Sequence, residues 1–188
     1  MNFYLCLYEP WCENAMALFY GNEQMKEICA GRSIPKDDVR YRREGDRKMY
    51  KIRTEESFDS AHFLAGYDGK CSNLHGHRWR IVMEAGAEQL HEDGQLRGMI
   101  TDFGDIRRDL KELADFYDHA LIYESGTLKP LTIQALQEEN FRLIEVPFRP
   151  TAENFAKFFY DKMTAQGYQV IEMAVYETPN NCAVYSEN

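Results

Sequence analysis

Three of the five histidines lie in one stretch of the sequence, residues 58–77, which reads FDSAHFLAGYDGKCSNLHGH. His75 and His77 are two positions apart, and this spacing puts both imidazoles on one face only in an extended strand, because on a helix they diverge by about 200°. His62 ends the preceding strand-like run, and a hairpin through residues 66–69 would bring the chain back beside it. Three imidazoles with one open position are typical of a catalytic zinc site, so the sequence predicts zinc on these histidines.

Cys71 lies between the predicted ligands, in the polar loop sequence GKCSN. A lone cysteine is commonly a small buried hydrophobe, but this polar context disfavours that role. Two alternatives stay open: Cys71 closes the site as a fourth zinc ligand, or it remains free of the metal and attacks or transfers protons. We favour the open site, because a closed site leaves the metal no chemistry.

Asp118 and His119 follow a predicted helix. A histidine there ordinarily interacts with the C-terminal end of the helix dipole. Beside a thiol such as Cys71, however, the imidazole can hold or accept a proton while the carboxylate fixes its tautomer. The dipeptide is therefore a candidate proton relay.

Glu177 stands where the strand pattern calls for an apolar residue. It continues the face of the last long strand that carries Ile171, Met173 and Val175. If that face is buried, the carboxylate needs a partner such as the guanidine-like edge of a ligand. If the strand has already ended, Glu177 is only an exposed turn residue.

The elements that position these residues follow from periodicity. Alternation predicts strands over residues 50–62 and 75–85, with the histidines continuing the apolar side. Asp102 can cap a helix that ends near Asp118, and Pro150-Thr151 can begin a second helix that ends at Gly167. Further strands are predicted at residues 141–148 and in a final hairpin over residues 171–187.

The composition bounds the class of protein. A chain of 188 residues that is 44% hydrophobic suits one domain with a substantial core. A formal net charge of −9 argues against nucleic-acid binding. Five cysteines without compact spacing, no secretory signal and no apolar run of about 20 residues predict a cytoplasmic protein without a membrane span.

Taken together, these segments resemble the family of 6-pyruvoyl-tetrahydropterin and 6-carboxytetrahydropterin synthases. The resemblance covers about residues 49–188 and leaves residues 1–48 as an N-terminal extension of unknown role. It implies an α+β tunnel fold, in which a four-stranded antiparallel sheet carries two helices on one face and the sheets of several subunits join into a barrel. The matching motifs are FDSAH (58–62), CSNLHGH (71–77), TDFGDI (101–106), DHALI (118–122), PTAEN (150–154) and VYETP (175–179).

The resemblance also implies roles for individual residues. Zinc would be held by His62, His75 and His77. Protons would pass through Cys71, Asp118 and His119, and the pterin would be anchored by Glu177 together with Thr151, Ala152 and Glu153. Sites of this family are shared between subunits, so the expected assembly is a homo-oligomer, a hexamer.

Within the family, three residues separate Cys71 from His75, as in the bacterial enzyme of the queuosine pathway. This favours conversion of 7,8-dihydroneopterin triphosphate to 6-carboxy-5,6,7,8-tetrahydropterin, with release of acetaldehyde and triphosphate. One alternative is 6-pyruvoyl-tetrahydropterin formation, in which triphosphate is lost without side-chain cleavage. Another is a non-catalytic zinc-binding or pterin-binding protein.

Overall fold

A long antiparallel hairpin forms the centre of the fold. The computed structural model describes residues 48–187, in which β1 (Tyr50–His62) pairs along its whole length with β2 (His75–Ala87). Side chains alternate between the two faces of each strand, and the buried face carries Phe58 and Trp79. The two predicted strands and the predicted return of the chain are confirmed. The connecting loop contains a short 3-10 helix, Lys70–Ser72.

Within the described residues, four further strands complete one mixed sheet of order β4-β3-β1-β2-β5-β6. Antiparallel pairing joins β1, β2, β5 and β6, whereas β3 and β4 extend the other edge of β1 by parallel pairing. The four antiparallel strands of the prediction are therefore present, but the prediction was wrong in strand number, because two strands paired in parallel extend the sheet. The added strands are β3 (Leu121–Glu124), β4 (Leu143–Val146), β5 (Val170–Thr178) and β6 (Asn181–Tyr185).

Two helices cover the buried face of the sheet, as predicted. The first, α1 (Phe103–Tyr117), begins after Asp102, whose side chain accepts a hydrogen bond from the Gly104 amide at 2.6 Å. The second of these helices, Ala152–Ala165, is capped by Thr151. Both helices contribute apolar residues to the core cluster that contains Phe58 and Trp79, so one core lies between helices and sheet.

A third helix was not predicted. After β3 the chain forms α2 (Pro130–Glu138), so the helix Ala152–Ala165 is α3. None of the residues of α2 is buried. A helix that does not pack on the core needs no strong apolar stripe, and such a stripe is the pattern that identifies a helix in a sequence. The helix supplies the crossover that the parallel strands β3 and β4 require. Since β3 has only four residues, it is too short to show a clear alternation.

The opposite face of the central hairpin is polar. Arg78 pairs with Asp59 at 3.1 Å, and Arg80 pairs with Glu55 at 3.0 Å. These ion pairs are exposed and stabilise the fold by little. Because side chains alternate along a strand, the arginines of β2 lie on the face opposite to the histidines.

No helix in the part of the chain described here is long and apolar enough to cross a membrane. The predicted N-terminal extension, residues 1–48, lies outside the described residues except for Lys48.

Candidate metal centre and active site

The central hairpin brings the three predicted zinc ligands together. His62 pairs directly with His75 across the two strands, and Ser60 pairs with His77. The ring centroid of His62 lies 4.4 Å from that of His75 and 5.2 Å from that of His77. In the described part of the protein, the Nε2 atoms of all three rings are buried and have no hydrogen-bond partner. Three converging and unsatisfied nitrogens are what a metal ion requires.

Backbone carbonyl groups orient two of the rings. His62 donates from Nδ1 to the carbonyl oxygen of Pro150 at 2.8 Å, and His75 donates from Nδ1 to that of Asn73 at 2.7 Å. A carbonyl oxygen can only accept, so the proton of each neutral ring lies on Nδ1 and the lone pair on Nε2. Outer hydrogen bonds of this kind are the usual support of metal-bound histidines.

The same burial keeps the imidazoles uncharged. Burial is the main cause that lowers the pKa of His62 to about 4; the hydrogen bond to the Pro150 carbonyl opposes this shift, and the neighbouring histidines add to it. Burial also lowers the pKa of His77, although the carboxylate of Glu177 acts in the opposite direction. Neutral imidazole is the form that binds metal, so the centre is ready for an ion near neutral pH.

Glu177 lies beside the histidines as a fourth potential ligand. Because β5 continues to Thr178, Glu177 is a strand residue and not an exposed turn residue. Its Oε1 lies 3.4 Å from Nε2 of His62 and 3.5 Å from Nε2 of His77. One donor atom from each of His62, His75, His77 and Glu177 falls within 4.8 Å of the others, so these four residues could hold a metal ion.

Trp79 forms the apolar floor of this centre. Its ring lies 4.9 Å from that of His62 and 5.7 Å from that of His77, both edge to face. On its other side it stacks on Phe58 and contacts Phe155 of α3. The histidines are therefore fixed by the main core of the protein.

Cys71 lies in the short 3-10 helix and lines a cavity of about 270 Å³. The same cavity is lined by Glu177 and by the predicted substrate residues Thr151, Ala152 and Glu153. Cys71 is not part of the group of potential metal ligands found among residues 48–187. The structure thus brings the thiol to the predicted substrate side and places a carboxylate, not the thiol, beside the histidines.

Sequence reasoning missed two residues around this cavity. Cys182 of β6 is a second free thiol on its wall. Arg149 donates a hydrogen bond to the carbonyl oxygen of Ala65, in the loop that also carries Cys71. The position of Arg149 directly before Pro150 and Thr151 could have indicated that it lies near the site. A cation in a loop is ordinarily solvated, so this position alone did not predict a role.

Asp118 and His119 lie elsewhere, at the C-terminal end of α1. The Nδ1 of His119 donates to Oδ2 of Asp118 at 2.7 Å, and Oδ1 of Asp118 accepts from the Asp59 amide at 2.8 Å. The Asp59 amide is the main cause that holds the pKa of Asp118 below its usual range. His119 has a φ of 52°, a left-handed conformation that is uncommon outside glycine, and its side chain is 80% exposed. The pair is held in a defined geometry, but it faces outward.

His119 lines a different cavity from Cys71. This larger cavity, of about 660 Å³, also contains His77 and the exposed apolar side chains of Leu74 and Phe141. The four potential metal ligands border both cavities, because His77 lines the larger cavity and Glu177 lines the smaller one. Among residues 48–187, the two halves of the predicted relay therefore line two different cavities of one chain.

Comparison with known proteins identifies the relatives of this chain. The profile of the 6-pyruvoyl tetrahydropterin synthase family matches residues 51–188. The chain is 37% identical over 142 residues to the 6-carboxy-5,6,7,8-tetrahydropterin synthase of Haemophilus influenzae, covering 74% of this chain and 100% of that protein. It is 30% identical over 138 residues to the protein of the same name from Rickettsia bellii, covering 70% and 96%.

Solved structures share the fold. A protein from Wolinella succinogenes superposes with a TM-score of 0.61 at 19% identity, covering 75% of this chain and 99% of that chain. The 6-pyruvoyl tetrahydropterin synthase of Plasmodium vivax superposes with a TM-score of 0.55 at 16% identity, covering 75% of this chain and 99% of that chain. The family profile over residues 51–188 and the relatives of 30% identity or more show that the chain belongs to the 6-pyruvoyl tetrahydropterin synthase family.

Proposed function

We propose that this protein is a zinc-dependent carbon-carbon lyase of 7-deazaguanine and queuosine biosynthesis. It converts 7,8-dihydroneopterin triphosphate to 6-carboxy-5,6,7,8-tetrahydropterin, acetaldehyde and triphosphate. The observation that carries the proposal is the convergence of three unpartnered Nε2 atoms next to a cavity that holds a free thiol and a carboxylate. The names of the relatives from Haemophilus influenzae and Rickettsia bellii support this reaction over its alternatives.

Zinc is the metal that best suits the donors present. Neutral imidazole and carboxylate are common ligands of catalytic zinc, and His62, His75 and His77 would hold it. When bound, the ion would act as a Lewis acid that eases charge development on the hydroxyls of the substrate side chain.

Glu177 would bind the pterin ring. Its carboxylate can accept hydrogen bonds from the 2-amino group and the adjacent ring NH, a pairing that resembles carboxylate with guanidinium. Thr151, Ala152 and Glu153 line the same cavity at the start of α3, where they can shape the ring pocket. The pterin would thus be held at one end while its side chain reaches the histidines.

Cys71 and the pair Asp118-His119 would move protons. The hydrogen bond from Nδ1 of His119 to Asp118 leaves Nε2 of His119 free to accept a proton. Cys71 can take or return a proton on the opposite side of the substrate. General acid and base groups of this kind each contribute about 100-fold to 10,000-fold in rate.

The two halves of the relay would meet between subunits. Cys71 and His119 line separate cavities of one chain, whereas a second copy packed on the exposed Leu74 and Phe141 could supply its own His119. We therefore propose a homo-oligomer, a hexamer in the expected barrel, with shared active sites. Among the described residues, β4 and β6 are the edge strands of the sheet, and such edges are suitable for joining sheets of adjacent subunits.

Incubation with 7,8-dihydroneopterin triphosphate and mass analysis of the products tests the proposal. The expected result is 6-carboxy-5,6,7,8-tetrahydropterin together with acetaldehyde. Formation of 6-pyruvoyl-tetrahydropterin without acetaldehyde would assign the alternative reaction of this family. Binding of zinc and pterin without any product would assign a non-catalytic role.

A further inference from the structure

The position of Glu177 fits a metal ligand as well as a pterin anchor. Two ligand atoms that each lie about 2.0 to 2.1 Å from a tetrahedral zinc ion are about 3.3 to 3.4 Å apart. Oε1 of Glu177 lies 3.4 Å from Nε2 of His62 and 3.5 Å from Nε2 of His77. Both distances match the edge of such a tetrahedron.

The electrostatics of this contact favour a cation between the groups. The proton of His62 is on Nδ1, where it is donated to Pro150, so Nε2 presents a lone pair to a carboxylate oxygen. Two acceptors that face each other at this distance repel unless a positive charge lies between them. Among the residues that the structure describes, no lysine or arginine lies within ion-pair distance of Glu177, so a metal ion is the cation that suits the position.

The proposed function gives the same carboxylate a second task. Pairing with the amino and ring NH groups of a pterin uses both carboxylate oxygens side by side. Oε1 cannot be directed at the pterin edge and at the histidine centre at once. The two tasks therefore belong to two states of the enzyme.

We propose that Glu177 is the fourth metal ligand of the substrate-free protein and leaves the metal when a pterin binds. The exchange breaks one carboxylate-metal bond and frees one coordination position for a hydroxyl of the substrate side chain. In the resting state the carboxylate keeps water off the metal, which limits side reactions. The proposal has two parts. The ligand half, that Glu177 binds the metal in the substrate-free protein, rests on the donor geometry alone. The exchange half, that Glu177 leaves the metal when a pterin binds, rests also on the proposed function.

Metal binding without substrate tests the ligand half. Metal-free wild type and Glu177→Gln are titrated with Zn²⁺ against a chelator, and their Co²⁺ forms are compared by visible absorption. Glu177→Gln should lower affinity by at least about tenfold, the loss that follows even removal of a group that only supports a ligand, and should shift the Co²⁺ bands. Equal affinities and identical Co²⁺ spectra would overturn the proposal.

Two further variants keep this test decisive. Glu172→Gln removes a carboxylate from the opposite face of the same strand and should bind both metals as wild type does. Glu177→Asp keeps the charge on a shorter side chain and should bind metal with intermediate affinity, so it serves if Glu177→Gln does not fold. Weakening of metal binding in Glu172→Gln equal to that in Glu177→Gln would show a non-specific effect and would overturn the assignment.

Addition of neopterin to the Co²⁺ proteins tests the exchange half. The wild-type spectrum should change as Glu177 leaves the metal, whereas the Glu177→Gln spectrum should change much less. An unchanged wild-type spectrum under saturating neopterin, with binding verified by fluorescence, would overturn the exchange and leave the ligand assignment standing. Lack of turnover would contradict the proposed function alone, because neither spectroscopic result depends on turnover.

Discussion

His62 is tied to the start of α3 by the hydrogen bond from its Nδ1 to the carbonyl oxygen of Pro150, at 2.8 Å. The preceding residue, Arg149, donates to Ala65 in the loop of Cys71, and the following residue, Thr151, caps α3. One short segment therefore contacts a predicted metal ligand, the thiol loop and the predicted pterin pocket. This shared support explains how a site built from distant parts of the sequence acquires a fixed geometry.

Replacement of His62 should weaken metal binding. His62→Ala removes the most buried of the three imidazoles, the ring that Pro150 orients, and leaves three of the four donors of the candidate group. Metal content after dialysis against a chelator, measured by atomic emission, should fall well below the wild-type level. His91→Ala is the matched control, because His91 lies exposed in the loop after β2 and should keep the metal. Full metal content in His62→Ala would contradict the assigned centre.

The metal-free protein should lose stability as the pH falls from about 6.5 to about 4. His62 takes up its proton near pH 6.5 in the unfolded chain but only near pH 4 in the folded protein, so the unfolded state binds more protons in this window. The loss from this residue is roughly 3 kcal/mol when complete. Urea unfolding of wild type and His62→Gln at several pH values measures it, and an equally steep pH dependence in the variant would contradict the prediction.

Replacement of Cys71 should separate turnover from metal binding. Cys71→Ala should lower kcat by about 100-fold or more, because a proton-transfer group is lost, while zinc content stays at the wild-type level. Cys182→Ala removes the other thiol of the same cavity and should reduce kcat far less. A parallel loss of zinc and turnover in Cys71→Ala would instead make Cys71 a metal ligand.

Removal of Arg149 should alter Cys71 without altering the metal. The guanidinium holds the loop through Ala65, whereas His62 is oriented by the main chain of Pro150. Arg149→Ala should therefore change the alkylation rate of Cys71 and lower kcat, with zinc content and melting temperature near those of wild type. Arg149→Lys, which keeps the charge and a donor, should restore part of the wild-type alkylation rate. An unchanged alkylation rate in Arg149→Ala would contradict a positioning role.

Mixed oligomers test whether active sites are shared. Cys71→Ala and His119→Ala subunits should each be nearly inactive alone, because each lacks one half of the relay. Co-expressed oligomers should regain activity at the interfaces where an intact Cys71 meets an intact His119 of the other subunit. Mixtures with no more activity than the two separate variants would show that both residues act within one chain.

Much of the candidate metal centre was predictable from the sequence because it depends on alternation. Once residues 75–85 are predicted as a strand, the common face of His75, His77 and Trp79 follows directly, and the hairpin supplies His62. The caps Asp102 and Thr151 likewise identified the starts of α1 and α3.

The remaining features depend on contacts that local patterns do not encode. Parallel pairing of β3 with β1 joins residues about 60 positions apart through only two residue pairs, so no alternation reveals it. The closeness of Glu177 to His62 depends on the register of β5 on β2, and the separation of Cys71 from His119 depends on the whole topology. Periodicity predicts the face of a strand or helix on which each residue lies, but it does not predict which distant residues that side chain contacts.

The most direct measurement is the molar ratio of acetaldehyde to triphosphate released from 7,8-dihydroneopterin triphosphate by the zinc-loaded protein. The proposed lyase reaction predicts equal amounts, with 6-carboxy-5,6,7,8-tetrahydropterin as the pterin product. Release of triphosphate without acetaldehyde would contradict the carbon-carbon cleavage that we propose for this site.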